Sequence, residues 1–286
     1  MTTTIDIDSY RRFFAEELRA VCRLESAALV DAFARVPRER FLGPGPWQVP
    51  TVDMLDPRGG GYYTTPDADA RRVHHNIAIA IDAKRQLNNG HPGTLAIWIE
   101  WLGLAPGSQV VHVGAGTGYY TAVMADVVGP KGRVHAFEVD AALAAEAKKN
   151  LAPWSQVTVE SGDGTRLPWP ADAIFVNAGV THPLDEWLDG LADGGRMLLP
   201  VTASFGPLGK GTVVRIERHG DTYTAKAGGL VMIYGCAIAR DEEMSGRLGR
   251  VLASGGTSKI RSLRRDDHAE EESCLIHRPG ACLSSR

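Results

Sequence analysis

The fold is decided by the stretch Val110-Val111-His112-Val113-Gly114-Ala115-Gly116-Thr117-Gly118-Tyr119, which reads as a buried strand, a glycine-rich turn and the start of a helix. Glycine is needed where the backbone turns sharply and a ligand must approach without a Cβ in the way. Free amides at the start of the helix can also bind polar ligand groups. The stretch therefore predicts a ligand site, with a tight turn that binds nothing as the alternative.

Short apolar runs alternate with helical segments on the C-terminal side of this stretch. Strands are expected at 109–113, 133–137, 156–160, 173–177 and 196–201, and helices at 117–128, 141–151 and 183–191. This alternation predicts an α/β fold with a doubly wound, mostly parallel sheet. The runs 212–218, 223 onward and 230–238 follow without a helix between them, which favours an antiparallel edge on that sheet.

The remaining segments suggest three parts. Apolar residues recur at helical spacing over 9–35, with Pro37 as the limit, and a further helix is expected over 92–102. We expect an N-terminal helical, substrate-covering region at 1–103, a ligand-binding domain at 104–240, and a C-terminal tail at 241–286. Because that tail is rich in charged and small residues, we expect it to be loosely ordered.

Two acidic residues follow successive predicted strands. Glu138 ends the second strand, about 20 residues beyond the glycines, and Asp163 ends the third. An acid after the second strand can accept both hydroxyls of a ribose. The spacing Gly-x-Gly-x-Gly differs from the dinucleotide pattern Gly-x-Gly-x-x-Gly, so a pyrophosphate is less favoured. A nucleoside with a small cationic group, such as S-adenosylmethionine, suits two acids beside a glycine turn.

Composition narrows the class of protein. The 286 residues include 44% hydrophobic and 23% charged residues, which excludes wholesale disorder. The chain has 31 basic and 34 acidic residues, so it lacks the excess of positive charge that sequence-independent binding of nucleic acid requires. With no apolar run of 18 residues, no signal-peptide pattern and four scattered cysteines, we expect a cytoplasmic protein without membrane contact. The oligomeric state stays open.

Several segments between about 31 and 240 resemble the protein-L-isoaspartate O-methyltransferase family and stand in the family's order. They are Val36-Pro37-Arg38-Glu39-Arg40-Phe41, Leu104-Ala105-Pro106-Gly107, the glycine stretch, Ser161-Gly162-Asp163-Gly164-Thr165, Ile174-Phe175-Val176-Asn177-Ala178-Gly179 and Gly194-Gly195-Arg196-Met197-Leu198-Leu199-Pro200-Val201. The first and last of these are the more specific, since many methyltransferases share the glycines and acids.

The resemblance implies a Rossmann-like methyltransferase fold that binds S-adenosyl-L-methionine. The glycines of the turn would approach the methionine part of the cofactor, Glu138 would hold the ribose hydroxyls, and Asp163 would bond the adenine amino group. The full set of expected cofactor contacts is Val113, Gly114, Ala115, Gly116, Thr117, Gly118, Tyr119, Glu138, Val139, Gly162, Asp163, Gly164 and Asn177.

The substrate segment departs from the family. Where the family has Thr-Ile-Ser-x-Pro, this chain has Asn88-Asn89-Gly90-His91-Pro92, so Gly90 replaces the serine. A carboxylate acceptor is ionised at pH 7 and needs no base, whereas an amine or phenol would benefit from one. We take Gly90, His91 and His182 as the candidates for contact with the acceptor. For His91 the alternative is a structural role at the start of a helix.

Three functions follow from this sequence. The leading hypothesis is a methyltransferase acting on a carboxylate of a peptide or protein, by resemblance an isoaspartyl residue. The same cofactor with a different acceptor, either a modified peptide in a biosynthetic pathway or a small molecule, is the alternative within enzymes. A non-catalytic module that binds partners is the third.

The tail contains His268, Cys274, His277 and Cys282, spaced H-x5-C-x2-H-x4-C. Four such donors could close a tetrahedral zinc site, or the two thiols could form a redox pair. The spacing fits no common zinc module and the surroundings are charged. We therefore expect no metal site and favour an inert or partner-binding tail.

Overall fold

The computed structural model describes residues 6–51, 61–206 and 208–286. The helices are α1 (Ile7–Cys22), α2 (Ala27–Arg35), α3 (Pro92–Leu102), α4 (Tyr119–Val128), α5 (Ala141–Asn150), α6 (Asp185–Asp189) and α7 (Glu242–Ala253). Strands β1–β7 are Gln48–Pro50, Tyr62–Thr64, Ala80–Asp82, Leu87–Asn88, Gln109–Val113, Arg133–Glu138 and Val157–Ser161. Strands β8–β14 are Ala171–Val176, Leu191–Phe205, Leu208–His219, Thr222–Tyr234, Ser262–Arg264, Cys274–Ile276 and Cys282–Ser284.

Ten strands form one mixed sheet in the order β13-β14-β12-β11-β10-β9-β8-β5-β6-β7. The strands from β9 to β7 run parallel, and each strand from β10 to β13 pairs antiparallel with its neighbours. The predicted fold class, a mostly parallel α/β sheet with an antiparallel edge, is therefore confirmed. Two short hairpins, β1-β2 and β3-β4, lie outside this sheet.

The order of the parallel strands reverses at β5. The chain proceeds outward from β5 to β6 and β7, then returns to place β8 on the other side of β5. In open α/β sheets, ligands bind in the crevice at the carboxyl ends of the strands where the order reverses. The glycine turn follows β5 and Asn177 follows β8, so both lie at this switch point.

Several element boundaries differ from the sequence interpretation, and two of the differences change the number of elements. The apolar periodicity over 9–35 belongs to two helices. Arg23 adopts φ 55° and ends α1. Ser26 then caps the start of α2, where its hydroxyl accepts a hydrogen bond from the Leu29 N–H at 3.2 Å. The apolar runs expected from 223 and over 230–238 belong largely to a single strand, β11, which pairs along most of its length with β10. Local patterns did not show either feature.

The expectation that 241–286 is loosely ordered is wrong. This segment forms α7 and the strands β12, β13 and β14, which extend the large sheet beyond β11. Its apolar residues are isolated in the sequence, but Leu248, Leu263, Ile276 and Leu283 are at most 2% exposed and join one core cluster with Trp187 of α6. Long-range packing therefore orders a segment whose composition suggested otherwise.

The other face of the sheet is covered from the N-terminal side. Phe14, Leu18 and Phe33 of α1 and α2 share a buried cluster with Ile99 of α3 and Phe175 of β8. The expected division at residues 103/104 stays an interpretation of the sequence, since these helices pack into the same core as the sheet. No helix in the described parts of the chain is both long and apolar enough to cross a bilayer.

Candidate active site

The glycine turn after β5 forms the base of the site. Gly114, Gly116 and Gly118 all have positive φ, at +82°, +57° and +95°, a region that residues with a Cβ rarely adopt. The N–H groups of Gly114 and Ala115 donate to the Phe137 carbonyl at 2.9 and 3.0 Å. These bonds tie the turn to the end of β6 and aim its backbone into the crevice.

A cavity of 610 Å³ opens above this turn, within the range of about 300–1,000 Å³ usual for small-molecule sites. It collects most of the residues that the sequence analysis selected. Those that line it are Gly90, His91, Val113, Gly114, Ala115, Gly116, Thr117, Tyr119, Glu138, Val139, Gly162, Asp163 and Asn177. Residues from five separate segments of the chain therefore meet at the switch point of the sheet.

Glu138 is held rigidly at one side of the cavity. It is 8% exposed, and its Oε2 accepts the Gly116 N–H at 2.7 Å while its Oε1 accepts the Asp140 N–H at 3.0 Å. Each carboxylate oxygen has a second lone pair that can accept a further hydrogen bond. The carboxylate is thus preorganised to receive two donors from a ligand, as a pair of ribose hydroxyls would supply.

Asp163 stands on the loop after β7. Its Oδ1 accepts both the backbone N–H of Thr165 at 2.9 Å and the Thr165 hydroxyl at 2.7 Å. These bonds hold the pKa of Asp163 below its usual value, the backbone bond contributing most, so the carboxylate is ionised at neutral pH. Oδ1 is committed to the turn, which leaves Oδ2 as the oxygen for a ligand donor.

Three selected residues lie outside the cavity lining. Gly118 begins α4, where a Cβ would come within 2.7 Å of Leu151, and a Cβ on Gly164 would come within 2.9 Å of Val113, so both glycines permit close packing behind the site. His182 is 9% exposed and bonds the Thr181 hydroxyl at 2.9 Å. His182 is therefore a buried structural residue, and its expected contact with the acceptor is not supported.

The substrate segment forms part of the cavity wall above the glycine turn. Gly90 has φ +86°, and an added Cβ would lie 3.2 Å from Leu95 Cδ2 and 3.3 Å from Tyr120 Cε2. The Tyr120 hydroxyl donates to the Gly90 carbonyl at 3.2 Å, and burial raises the pKa of Tyr120, so this phenol keeps its proton. The backbone at this position consequently suits glycine better than a residue with a side chain.

His91 is exposed at the start of α3, next to Gly90. Partial burial of the imidazole lowers the pKa of His91, and the charge of Arg38 lowers it further. The ring is therefore neutral at pH 7. A neutral imidazole at the cavity wall can accept a proton from an acceptor that needs a base, and it can equally serve as a hydrogen-bonding group.

Sequence reasoning missed two walls of the cavity. The β3-β4 hairpin forms one wall, and its Arg85 forms an ion pair with Asp140 at 2.8 Å. The far end of β11 and the residues after it form the other, including Leu230 and Met232, which are 80% and 61% exposed. Nothing in the local pattern of these segments indicates a ligand site, because their role depends on where the sheet places them.

A buried arginine holds the substrate segment in place. Arg38, which is 0% exposed, donates to the carbonyls of Val73, His75 and Ile77 at 2.6, 3.0 and 2.6 Å and to Asn89 Oδ1 at 3.3 Å. Arg38 belongs to the segment Val36–Phe41 that carried the family resemblance. That segment therefore pointed to the family correctly. Arg38 positions the neighbouring loop, and the segment does not line the cavity.

The chain is similar to a family of known proteins. Residues 61–234 match the family model described as protein-L-isoaspartate(D-aspartate) O-methyltransferase. A protein-L-isoaspartate O-methyltransferase of Methylorubrum populi is 33% identical over 202 residues, covering 69% of this chain and 80% of that protein. One of Thermotoga maritima is 31% identical over 180 residues, covering 60% of this chain, and the match spans 50% of the length of that relative.

Solved structures agree on the fold. A crystal structure from Plasmodium falciparum, assigned as a protein-L-isoaspartate O-methyltransferase and solved in complex with S-adenosyl-L-homocysteine, is 15% identical with a TM-score of 0.57. The alignment covers 79% of this chain and 97% of that one. At this identity the likeness establishes the shared fold.

Proposed function

The chain belongs to the protein-L-isoaspartate(D-aspartate) O-methyltransferase family, and from this premise we propose that it methylates a carboxylate of a peptide or protein. The family model covers more than half of the 286 residues, and the Methylorubrum relative matches over more than two thirds of both chains. The predicted class of enzyme, an S-adenosylmethionine-dependent methyltransferase, is confirmed by this membership. The acceptor is the proposed part.

The cavity fits S-adenosylmethionine. Glycines with positive φ leave space where side chains would otherwise stand, Glu138 offers two oxygens already oriented by backbone N–H groups, and Asp163 keeps one oxygen free. In the proposed arrangement Gly114 and Gly116 face the methionine part, Glu138 takes the ribose and Asp163 takes the adenine. These groups line the same cavity as Gly90 and His91, and this is the observation that carries the proposal.

The protein acts chiefly by alignment. When bound, the cofactor supplies an activated methyl group on a sulfonium. An acceptor carboxylate has a reference pKa of about 4 and is already ionised at neutral pH, so no residue has to remove a proton. Holding two reactants in line is worth effective molarities of roughly 10⁵–10⁸ M. The rigid glycine turn and the anchored segment 88–91 are the parts of this chain that can provide that alignment.

The mouth of the cavity favours an acceptor with apolar groups. Leu230 and Met232 line it and are 80% and 61% exposed. Exposed apolar side chains at the rim of a polar site mark a binding surface. A peptide with hydrophobic residues flanking the carboxylate would cover them.

The glycine at the serine position supports a second candidate, the same cofactor with a different acceptor. Glycine has no side chain, so the cavity lacks the hydroxyl that the family resemblance implies at this position. The φ of +86° and the nearby Tyr120 ring suit glycine there. A modified peptide or a small molecule that needs no such hydroxyl is the alternative acceptor. We also propose the cytoplasm as the location, which the four free cysteines support and which fractionation of the source cell tests.

The test is transfer of labelled methyl from S-adenosylmethionine to an isoaspartyl peptide, with its aspartyl isomer as the control and cofactor binding measured by calorimetry. Base-labile label on the isoaspartyl peptide alone is the expected result. If the protein binds the cofactor but labels neither peptide, the result would favour a different acceptor. Failure to bind the cofactor would contradict the enzyme assignment itself.

A matched pair of variants separates acceptor classes. We expect H91Q to retain its rate on a carboxylate with an unchanged pH profile, since no base is needed there. A large loss of rate at neutral pH would instead indicate an amine or phenol acceptor that depends on His91. H219Q, at the half-exposed end of β10, is the control for replacing any histidine.

A further inference from the structure

Four nitrogen and sulfur donors converge in the C-terminal segment, away from the cavity. One ligand atom from each of His268, Cys274, His277 and Cys282 lies within 4.8 Å of every other. Cys274 opens β13, His277 directly follows β13, and Cys282 opens β14. The antiparallel pairing of β13 with β14, and the loop that carries His268 back over them, bring the four donors together.

The separation of one sulfur–nitrogen pair matches that of a tetrahedral metal site. With zinc–sulfur bonds of about 2.3 Å and zinc–nitrogen bonds of about 2.05 Å, tetrahedral angles place a sulfur and a nitrogen ligand roughly 3.6 Å apart. The Cys274 Sγ and the His268 Nε2 are 3.5 Å apart. From this geometry we propose that His268, Cys274, His277 and Cys282 bind one structural zinc ion, reversing the expectation from their sequence spacing.

Neighbouring groups orient the donors. The Nδ1 of His268 lies 2.8 Å from the Asp266 carbonyl, a contact that requires a proton on Nδ1 and leaves the Nε2 lone pair facing Cys274. Metal-binding histidines usually have such a partner on the second nitrogen. The Glu271 N–H points to the Cys274 Sγ at 3.4 Å, which would stabilise a thiolate. These contacts already orient two of the four ligands.

His277 provides an independent observation. Its Nδ1 is buried and has no hydrogen-bond partner among the described residues. A buried polar atom without a partner costs roughly 1–3 kcal/mol, so native proteins rarely leave one. The imidazole of His277 also packs against that of His268, with ring centroids 4.9 Å apart. A bound ion would account both for the close approach of the two rings and for the polar character of this pocket.

The charge balance suits a buried zinc ion. Binding converts two thiols and two neutral imidazoles into a complex with two thiolates, and it releases two protons to solvent. The two negative thiolates cancel the charge of Zn²⁺, so the occupied site is neutral where Cys282 is fully buried. Two sulfur and two nitrogen ligands favour zinc, and four protein ligands leave no open position for catalysis.

The ion would add a constraint to the packing that already orders this segment. Strands β12, β13 and β14 have three residues each, and their buried apolar side chains pack against α6 and α7. A metal ion would join the loop before β13 to both β13 and β14, and small domains commonly use such an ion to supplement a small core. Arg278, next to His277, lies 3.6 Å from Asp185 of α6.

The decisive measurement is metal content of the full chain, produced with zinc in the medium and purified without a polyhistidine tag. We expect about one zinc per chain in the wild type. C274S and C282S should each retain fewer than about 0.2 equivalents. C22S, which replaces a cysteine at the end of α1, and H219Q should retain the full amount.

Cobalt provides a readout that does not depend on the variants folding. Replacing zinc by Co²⁺ in the wild type should produce thiolate-to-cobalt charge-transfer absorption and the intense visible bands of tetrahedral coordination. Removing the metal with a chelator should lower the thermal midpoint, and adding zinc should restore it. Fewer than about 0.2 equivalents of zinc with no cobalt spectrum would overturn the proposal. So would a Cys274–Cys282 disulfide in the intact mass, or full zinc retention in C274S/C282S.

Discussion

Replacing Glu138 by glutamine tests the cofactor half of the site most directly. The carboxylate is 8% exposed, and both of its oxygens accept backbone N–H groups, from Gly116 at 2.7 Å and from Asp140 at 3.0 Å. Glutamine keeps the shape of the side chain but turns one oxygen into an NH2 donor. One of the two backbone N–H groups then faces a donor, and the proposed ribose contact loses an acceptor.

The magnitude follows from these contacts. A hydrogen bond to a charged group contributes about 1.5–3 kcal/mol, so losing one in the complex weakens cofactor binding roughly 10- to 160-fold. The unpaired backbone N–H would also lower the free energy of unfolding by about 1–3 kcal/mol. Both effects arise from the same atom, which makes the variant a sharp test of the geometry.

Isothermal titration calorimetry with S-adenosylhomocysteine measures the first effect, and urea denaturation measures the second. E16Q is the matched control, because Glu16 lies on α1 with its side chain 58% exposed. It should bind like the wild type. The reasoning would be refuted if E138Q bound the ligand within about twofold of the wild type while remaining folded.

Three further variants test other parts of the structure. G90A places a Cβ at φ +86° and should lower the free energy of unfolding by roughly 1–2 kcal/mol, measured thermally, whereas G246A in α7 should not. Burial lowers the pKa of His112 to about 3, so between about pH 6.5 and pH 3 this imidazole binds a proton in the unfolded chain but not in the folded one. The free energy of unfolding of the wild type should therefore fall by about 2 kcal/mol from pH 7 to 5. H112Q, which can still bond Thr121, should lack that loss in urea titrations. R38K removes the guanidinium fork and should reduce both the thermal midpoint and methyl transfer; an unchanged rate would show that the segment before α3 needs no such anchor.

The parallel half of the sheet could be predicted from the sequence because its signals are local. Strand β5, the glycine turn and α4 follow one another without interruption, and the positive φ values at Gly114 and Gly116 are ones that glycine alone adopts readily. Glu138 and Asp163 follow strands that run parallel, so the topology itself brings them to one edge.

The C-terminal segment could not be predicted in this way. Leu263, Ile276 and Leu283 are separated by charged residues, and their burial results from pairing with β11 and packing against α6 and α7. His182 also lies outside the cavity lining, and its partner Thr181 is hydrogen-bonded to Ala239 and Asp241, which are far away in sequence. Composition describes a residue's neighbours along the chain, whereas order here depends on neighbours far away in sequence.

Local patterns in the sequence therefore established the methyltransferase sheet and the edge at which Glu138 and Asp163 meet, and they place Gly90 where the resemblance implies a serine. The tertiary structure decided what surrounds that edge and how the chain ends. The β11 wall of the cavity and the four-donor cluster from His268 to Cys282 both depend on antiparallel pairing beyond β9. Such pairing is set by register and packing over long separations, which no local spacing encodes.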